Sequence, residues 1–112
     1  MASVDELWLI DFGEPYPGKP AAHRPALVIG PPNTFGQAFP FAIVAPLTTT
    51  RRDLSLHIEI EPVRATGLDD VSYVQCELIR SVNQNRLIHR MGTIDRPSSA
   101  QVADVLRVLL DL

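Results

Sequence analysis

The sequence contains little cysteine, no long hydrophobic run and no internal repeat. Its one cysteine, Cys76, excludes an intramolecular disulfide framework and fits a reducing compartment. No segment approaches the roughly 18 apolar residues that a membrane span needs, and the acidic residues 1–6 lack the basic and apolar regions of a signal peptide. No histidines, cysteines and acids cluster at metal-ligand spacing. We therefore expect a cytoplasmic protein with no membrane partner, no metal and no other cofactor.

The chain also has no large excess of one sign of charge. The formal net charge is −3, whereas a general nucleic-acid binder usually presents a basic surface. Six arginines nevertheless fall near the ends of predicted strands: Arg24, Arg51, Arg52, Arg80, Arg86 and Arg90. The composition therefore disfavours a general nucleic-acid binder but permits a local basic groove on an acidic body.

The 112 residues suit one compact domain, residues 1–112. Short apolar or alternating segments between turn signals predict about seven strands. The predicted strands are 6–12, 24–29, 41–47, 54–61, 71–75, 78–82 and 87–94. The period changes at Pro97, and Ser98 with Gln101 forms a capping-box pattern that predicts an amphipathic helix as far as Leu112. These elements predict a mainly β (α+β) fold, a small curled sheet or barrel with one C-terminal helix.

Residues 41–52 form the most informative stretch, an apolar run that ends in three threonines and two arginines. The apolar part predicts a strand buried on both faces. Its end supplies hydroxyls, backbone amides and positive charge within residues 48–52, which are the ingredients of a phosphate site. Taken alone, the stretch is explained more simply by a strand that runs into a solvated turn.

Three stretches in order resemble the MazF/PemK family of toxin endoribonucleases. They are residues 6–13, 23–29 and 43–49, and segments 56–60, 77–82 and 106–112 follow in the order that the family shows. Two positions depart from the family pattern, because Asp5 stands where a glycine usually precedes the first strand and Leu78 where a glutamine is frequent. The second departure lies near the RNA groove of the family, so its base preference does not carry over.

The resemblance implies an SH3-like β-barrel that forms a homodimer, cleaves single-stranded RNA at short motifs without a metal, and is silenced by a cognate antitoxin protein. The products would carry 2′,3′-cyclic phosphate and 5′-OH ends. The catalytic residues that match the family motifs are Arg24 and Thr48. Arg24 would offer hydrogen-bond donors and permanent charge to the phosphate, and Thr48 would hold the same phosphate by its hydroxyl.

Other candidate site residues follow from side-chain chemistry. His57 is the candidate for proton transfer, because imidazole titrates near neutral pH; a histidine on the solvated face of a strand is the simpler interpretation. The candidate RNA contacts are a stacking ring, four basic residues, a hydroxyl and a carboxylate: Tyr16, Lys19, Thr49, Arg51, Arg52, Glu77 and Arg80. A solvated turn accounts equally well for Arg51 and Arg52, and packing among prolines accounts equally well for Tyr16.

Two other functions stay open at this point. A toxin that resembles CcdB would poison DNA gyrase by binding and would have no catalytic centre. The Arg24-Pro25 motif together with Thr48 argues against that function. A catalytically inactive family member would act as a binding or regulatory partner, and the departures at Asp5 and Leu78 leave this alternative open.

Overall fold

The computed structural model describes residues 2–13, 23–32 and 38–112. The strands are β1 (Glu6–Asp11), β2 (His23–Gly30), β3 (Phe41–Thr48), β4 (His57–Ile60), β5 (Ser72–Gln75), β6 (Arg80–Asn83) and β7 (Leu87–Thr93). The 3-10 turns Cys76–Leu78 and Gln84–Arg86 flank β6, and one helix, α1 (Arg96–Leu110), follows β7. The predicted mainly β fold with a C-terminal helix is therefore confirmed.

β3 is the strand that holds the sheet together, because it pairs with three others. The strand order is β4-β5-β3-β2-β1-β7, with β6 also beside β3, and every pairing is antiparallel. Residues 41–44 of β3 pair with β6, and Leu47 and Thr48 pair with β5. Within the described ranges no pairing joins β4 to β7, so the barrel-like sheet stays open.

The core consists of two apolar clusters, as the alternation of side chains along each strand requires. Leu27 of β2 belongs to the cluster that includes Val102 of α1, whereas its neighbours Ala26 and Val28 belong to the other cluster. Helix α1 therefore covers only one face of the sheet. This asymmetry leaves the remaining faces and strand ends available for a site.

The prediction that β3 is buried on both faces holds for part of the strand. Residues 44–47 are all buried, and they contribute to both clusters. Phe41 and Ile43, at the start of the strand, are instead 44% and 38% exposed. The first half of β3 is therefore a half-exposed strand, and only its second half lies in the core.

Two predicted strands, β4 and β6, start more than one residue away from their predicted starts. β4 begins at His57 rather than at Leu54, because the His57 amide donates a hydrogen bond to the Leu54 carbonyl and closes a turn there. Leu54 is accordingly exposed and does not join the buried apolar side chains of β4, Ile58 and Ile60. Leu78 lies in a 3-10 turn, so β6 begins two residues later than predicted, at Arg80.

Helix α1 begins at Arg96, two residues before the predicted start at Ser98. The carboxylate of Asp95 caps the helix by accepting a hydrogen bond of 2.8 Å from the Ser98 amide. Pro97 lies in the first turn, where its missing N–H costs little because helix N-termini leave such groups unpaired. Among the described residues no helix is both long and apolar enough to cross a membrane.

Cys76 is fully buried in the cluster that α1 covers. Burial, together with the nearby negative charge of Glu77, raises the pKa of the Cys76 thiol to about 11. A thiol with this pKa is protonated and unreactive at neutral pH. Cys76 therefore behaves as a small apolar side chain of the core.

Candidate functional site

The sheet brings Arg24 and Thr48 to the same end of β3. The recorded pairing of β2 with β3 ends at Ala26 and Pro46. The same register, extended by two residues, would set Arg24 opposite Thr48, and the 3.0 Å hydrogen bond from Arg24 Nη2 to the Leu47 carbonyl shows that the Arg24 side chain reaches this end of β3. Thr48 in turn pairs with Tyr73 of β5. Directly opposed residues of neighbouring strands point to one face, so Thr48 and Tyr73 share a face, and the extended register puts Arg24 on the same one.

Two acceptors hold the Arg24 side chain. Its Nη2 donates to the carbonyl oxygen of Leu47 at 3.0 Å and to Oε1 of Gln75 at 3.2 Å. In the described part of the chain, the N–H groups of Nε and Nη1 meet no acceptor. No carboxylate in that part of the chain pairs with this guanidinium. Arg24 is half-buried. It can therefore offer three N–H donors and its positive charge to an anionic ligand.

The threonines at the end of β3 supply hydroxyl groups beside Arg24. Thr48 is half-buried, and its Oγ1 accepts a hydrogen bond of 3.2 Å from the Thr50 amide. A hydroxyl that accepts in this way still has its own hydrogen to donate. Thr49 is exposed just beyond the strand. The end of β3 thus offers donors to an anion, as the sequence predicts for a phosphate site.

His57, at the start of β4, and Glu77, in the 3-10 turn that follows β5, form a pair. His57 Nε2 lies 2.9 Å from Glu77 Oε2, and the exposed fractions of the two side chains are 2% and 30%. His57 Nδ1 is buried and meets no partner in the described ranges. A neutral ring that carries its hydrogen on Nε2 avoids burying an unpaired N–H at Nδ1. His57 lies on the opposite face of β4 from Ile58 and Ile60, as predicted, but its side chain is buried rather than solvated.

The Glu77 carboxylate is stabilised in its charged form. Burial by itself would raise its pKa, but the hydrogen bond with His57 and the positive charge of Arg52 hold the pKa of Glu77 below the ordinary value of 4.5. Glu77 is therefore ionised at neutral pH. The guanidinium of Arg52 thus lies near the Glu77 carboxylate, which also bonds His57.

Arg51 lines a cleft of about 190 Å³ together with His57 and Tyr73. Its Nε forms an ion pair of 2.7 Å with Asp53, and both side chains are largely exposed. The hydrogen bond to Asp53 raises the pKa of Arg51, which remains charged at any physiological pH. An exposed ion pair of this kind is weak and can open to a phosphate.

The remaining predicted RNA contacts lie elsewhere. Arg80 of β6 pairs with Val44, in the middle of β3, and its guanidinium carbon lies 5.4 Å from the centre of the Phe12 ring. Arg80 is therefore not brought to the end of β3 where Arg24 and Thr48 meet. Tyr16 and Lys19 lie outside the described residues. All three assignments stay predictions.

Sequence reasoning missed Tyr73 and Gln75, two polar side chains of β5. Gln75 is only 6% exposed and contacts Arg24, while Tyr73 pairs with Thr48. Their alternation with buried Val74 was a usable signal, because it places both on the polar face of the strand. The pairing of β5 with the end of β3 could not be deduced from that alternation.

The site combines donors, positive charge and an ionised carboxylate. In the parts of the chain that the structure describes, no group of three or more His, Cys, Asp or Glu side chains could hold a metal ion. The guanidinium of Arg24 and the hydroxyl of Thr48 can bind an anionic group. Glu77, hydrogen-bonded to the buried His57, offers a proton acceptor in the 3-10 turn after β5.

Comparison with known proteins identifies the family. Residues 4–110 match the PemK-like, MazF-like toxin family of type II toxin-antitoxin systems. The chain belongs to this family. A curated relative from Mycolicibacterium smegmatis, named probable endoribonuclease MazF, is 34% identical over 98 residues, which are 87% of this chain and 85% of the relative. The PemK/MazF resemblance that the sequence motifs predict is therefore confirmed.

Solved structures of MazF proteins share the fold of this PemK/MazF toxin. The Mycobacterium tuberculosis toxin MazF-mt6 gives a TM-score of 0.77 at 20% identity, over 96% of this chain and 97% of its own. A mycobacterial endoribonuclease in complex with its cognate antitoxin gives a TM-score of 0.81 at 19% identity, over 100% and 97% of the two chains. MazF from Deinococcus radiodurans gives 0.80 at 18% identity, over 99% and 97%.

Proposed function

We propose that this PemK/MazF toxin is a metal-independent endoribonuclease that cleaves single-stranded RNA at a short sequence motif in the cytoplasm. Its cuts leave a 2′,3′-cyclic phosphate on one fragment and a 5′-OH on the other. The observation that carries the proposal is the half-buried Arg24, whose guanidinium is bonded to the Leu47 carbonyl next to Thr48 and has no carboxylate partner among the described residues. Family membership and the similarity to a probable endoribonuclease support the reaction class.

The proposed reaction forms one bond to phosphorus and breaks another. The ribose 2′-oxygen attacks the adjacent phosphorus, and the bond from phosphorus to the 5′-oxygen breaks. The 2′-hydroxyl gives up one proton and the leaving 5′-oxygen takes one up. Negative charge grows on the phosphate oxygens in the transition state, where Arg24 and Thr48 would donate hydrogen bonds. Loss of one such donor typically lowers the rate by about 10²–10³-fold.

His57 stays the proposed proton-transfer residue, acting together with Glu77. The His57 ring is buried, whereas Glu77 is the exposed member of the pair. RNA would therefore reach Glu77 first, and His57 would hold the carboxylate and share its proton. This assignment gives Glu77 a role in proton transfer as well as its predicted contact with RNA.

The other assigned residues would bind RNA rather than react with it. Arg51 and Arg52 follow the threonines at the end of β3, so they are suited to hold phosphates on either side of the cleaved bond. Thr49 adds an exposed hydroxyl at the same place. The further proposed contacts are Tyr16, Lys19 and Arg80.

The proposal includes two protein partners, a second copy of the chain and a cognate antitoxin. A mycobacterial endoribonuclease of the same fold was solved in complex with its cognate antitoxin, which supports the second partner. Exposed Phe41 and Ile43 on β3 supply apolar surface of the kind that protein contacts bury. The resemblance to the family supports the homodimer.

The test is incubation of the purified toxin with a long RNA of mixed sequence in EDTA, followed by mapping of the fragment ends. We expect discrete cuts with cyclic-phosphate ends from the natural protein. Arg24→Ala and Thr48→Ala should each lower the cleavage rate by about 10²–10³-fold, because each removes a donor to the transition-state phosphate.

Two matched controls separate the site from general effects of charge or hydroxyl loss. Arg64→Ala removes an exposed arginine, and Ser81→Ala removes an exposed hydroxyl of β6; both should cut at the natural rate. Intact RNA, or cutting that survives both Arg24→Ala and Thr48→Ala, would contradict the proposed site. A gyrase supercoiling assay would then test the binding-toxin alternative.

A further inference from the structure

Gln75 is a buried amide whose hydrogen bond is not explained by local structure. Three polar residues are buried among those described: Thr66, Ser72 and Gln75. Thr66 and Ser72 donate to backbone carbonyls within five residues of themselves. The Gln75 side chain instead bonds Arg24, which is 51 residues away in the sequence. A buried polar group with a single distant partner points to a role in holding that partner.

The geometry around Arg24 shows what Gln75 does. The guanidinium reaches from β2 past the end of β3 to β5, and its Nη2 donates to two acceptors, the Leu47 carbonyl and the Gln75 amide oxygen. One acceptor would leave the planar group free to turn about that bond. Two acceptors on the same nitrogen fix its plane, and with it the direction of the N–H groups on Nε and Nη1.

We propose that Gln75 is a positioning residue that orients the Arg24 guanidinium toward the phosphate of the RNA. The inference rests on the proposed function, in which Arg24 contacts that phosphate. The neutral amide is suited to this task, because it accepts a hydrogen bond without cancelling the positive charge of the guanidinium. A carboxylate at the same position would orient Arg24 but would also neutralise it.

The experiment compares Gln75→Met, which removes the acceptor at similar size, with Gln75→Glu, which keeps an acceptor and adds charge. Initial rates of cleavage on one defined RNA give kcat and KM separately. We expect Gln75→Met to lower kcat by about tenfold with little change in KM, since orientation matters most in the transition state. Gln75→Glu should recover most of kcat but raise KM several-fold, because phosphate binding loses charge.

The Arg24→Lys background tests whether Gln75 acts through Arg24. Lysine has no planar group to orient, so Gln75→Met should have no further effect on kcat in that background. Independent losses that multiply would overturn the inference. NMR of the Arg24 side chain is a second readout: resolved Nη2 hydrogens in the natural protein should average in Gln75→Met. Unchanged signals would also overturn the inference.

Thr66→Val is the matched control for loss of a buried polar group, because Thr66 bonds only to its own turn. It should lower the unfolding midpoint while kcat stays unchanged. If Gln75→Met matches the natural kcat while Arg24→Ala lowers the rate by about 10²–10³-fold, the inference about Gln75 fails and the proposed function survives. If Arg24→Ala cleaves at the natural rate, the proposed site itself fails.

Discussion

Glu77 is the residue whose charge state should connect the site to the stability of the fold. Despite burial, its hydrogen bond with His57 and the charge of Arg52 keep the Glu77 pKa below 4.5. A carboxylate whose pKa is lowered by folding contributes stability above its unfolded pKa, and this contribution is lost as pH falls through the folded pKa. We expect Glu77→Gln to reduce the free energy of unfolding by about 1 kcal/mol at neutral pH.

Urea unfolding of both proteins at a series of pH values checks this expectation. The difference between them should shrink below pH 4.5, where the natural carboxylate becomes protonated. Glu61→Gln is the control whose pKa shift has the opposite direction, since a hydrogen bond with Glu59 raises the Glu61 pKa. It should not destabilise the protein at neutral pH. A Glu77→Gln difference that is constant down to strongly acidic pH would contradict the assignment.

Asp5 illustrates what a sequence pattern can and cannot predict at a single residue. The sequence shows that Asp5 replaces a frequent glycine, but not why glycine suits the position. The structure gives the reason, because Asp5 has φ of 75°, a backbone conformation that glycine adopts without strain. Its carboxylate accepts a hydrogen bond of 2.9 Å from Ser99 Oγ of α1. The aspartate thus gains a contact with the helix that glycine cannot make.

At the scale of the elements, period and turn signals predicted the number, type and order of the strands and the helix. They could not fix the start of β4, which depends on a backbone hydrogen bond between His57 and Leu54. Arg24 and Thr48 could be paired from the family motifs. Gln75 could not be added, because the register between β3 and β5 is set by packing between segments far apart in the sequence.

The turn at residues 61–68 packs so closely against β7 that there is no room for a side chain at Gly92. A Cβ on Gly92 would clash with the carbonyl oxygens of Ala65 and Thr66, and the Ala65 carbonyl is already held by the Thr93 amide at 2.8 Å. Backbone atoms held in this way cannot turn aside. We expect Gly92→Ala to reduce the free energy of unfolding by about 2–3 kcal/mol, measured by urea denaturation.

Gly30→Ala, in β2, is the matched control for the Gly92 contact. Its added Cβ would meet only Ile43 Cδ1 at 3.9 Å, which is an ordinary van der Waals contact. This substitution should change the free energy of unfolding far less than Gly92→Ala. Equal effects from the two substitutions would mean that general loss of glycine, rather than the approach of the turn to β7, determines the stability.

At the scale of the whole molecule, an acidic protein is proposed to bind an acidic polymer. The formal net charge is −3, so attraction to RNA must come from local groups of basic side chains, and the group proposed at the cleaved bond is Arg24, Arg51 and Arg52. Three phosphate contacts on a single strand, at about −0.7 each, predict a slope of about −2 for the logarithm of the association constant against the logarithm of salt concentration. A 2′-O-methyl RNA, which lacks the attacking hydroxyl, allows binding to be measured without cleavage.

Removal of Arg51 and Arg52 together should reduce that slope to about −0.7, because one phosphate contact would remain. Arg64→Ala should leave it unchanged, since the same charge is lost from a turn outside the site. A slope near −5 in the natural protein would contradict a binding surface of three arginines. RNA would then cross a wider basic surface that includes further cations, such as the proposed contacts Lys19 and Arg80.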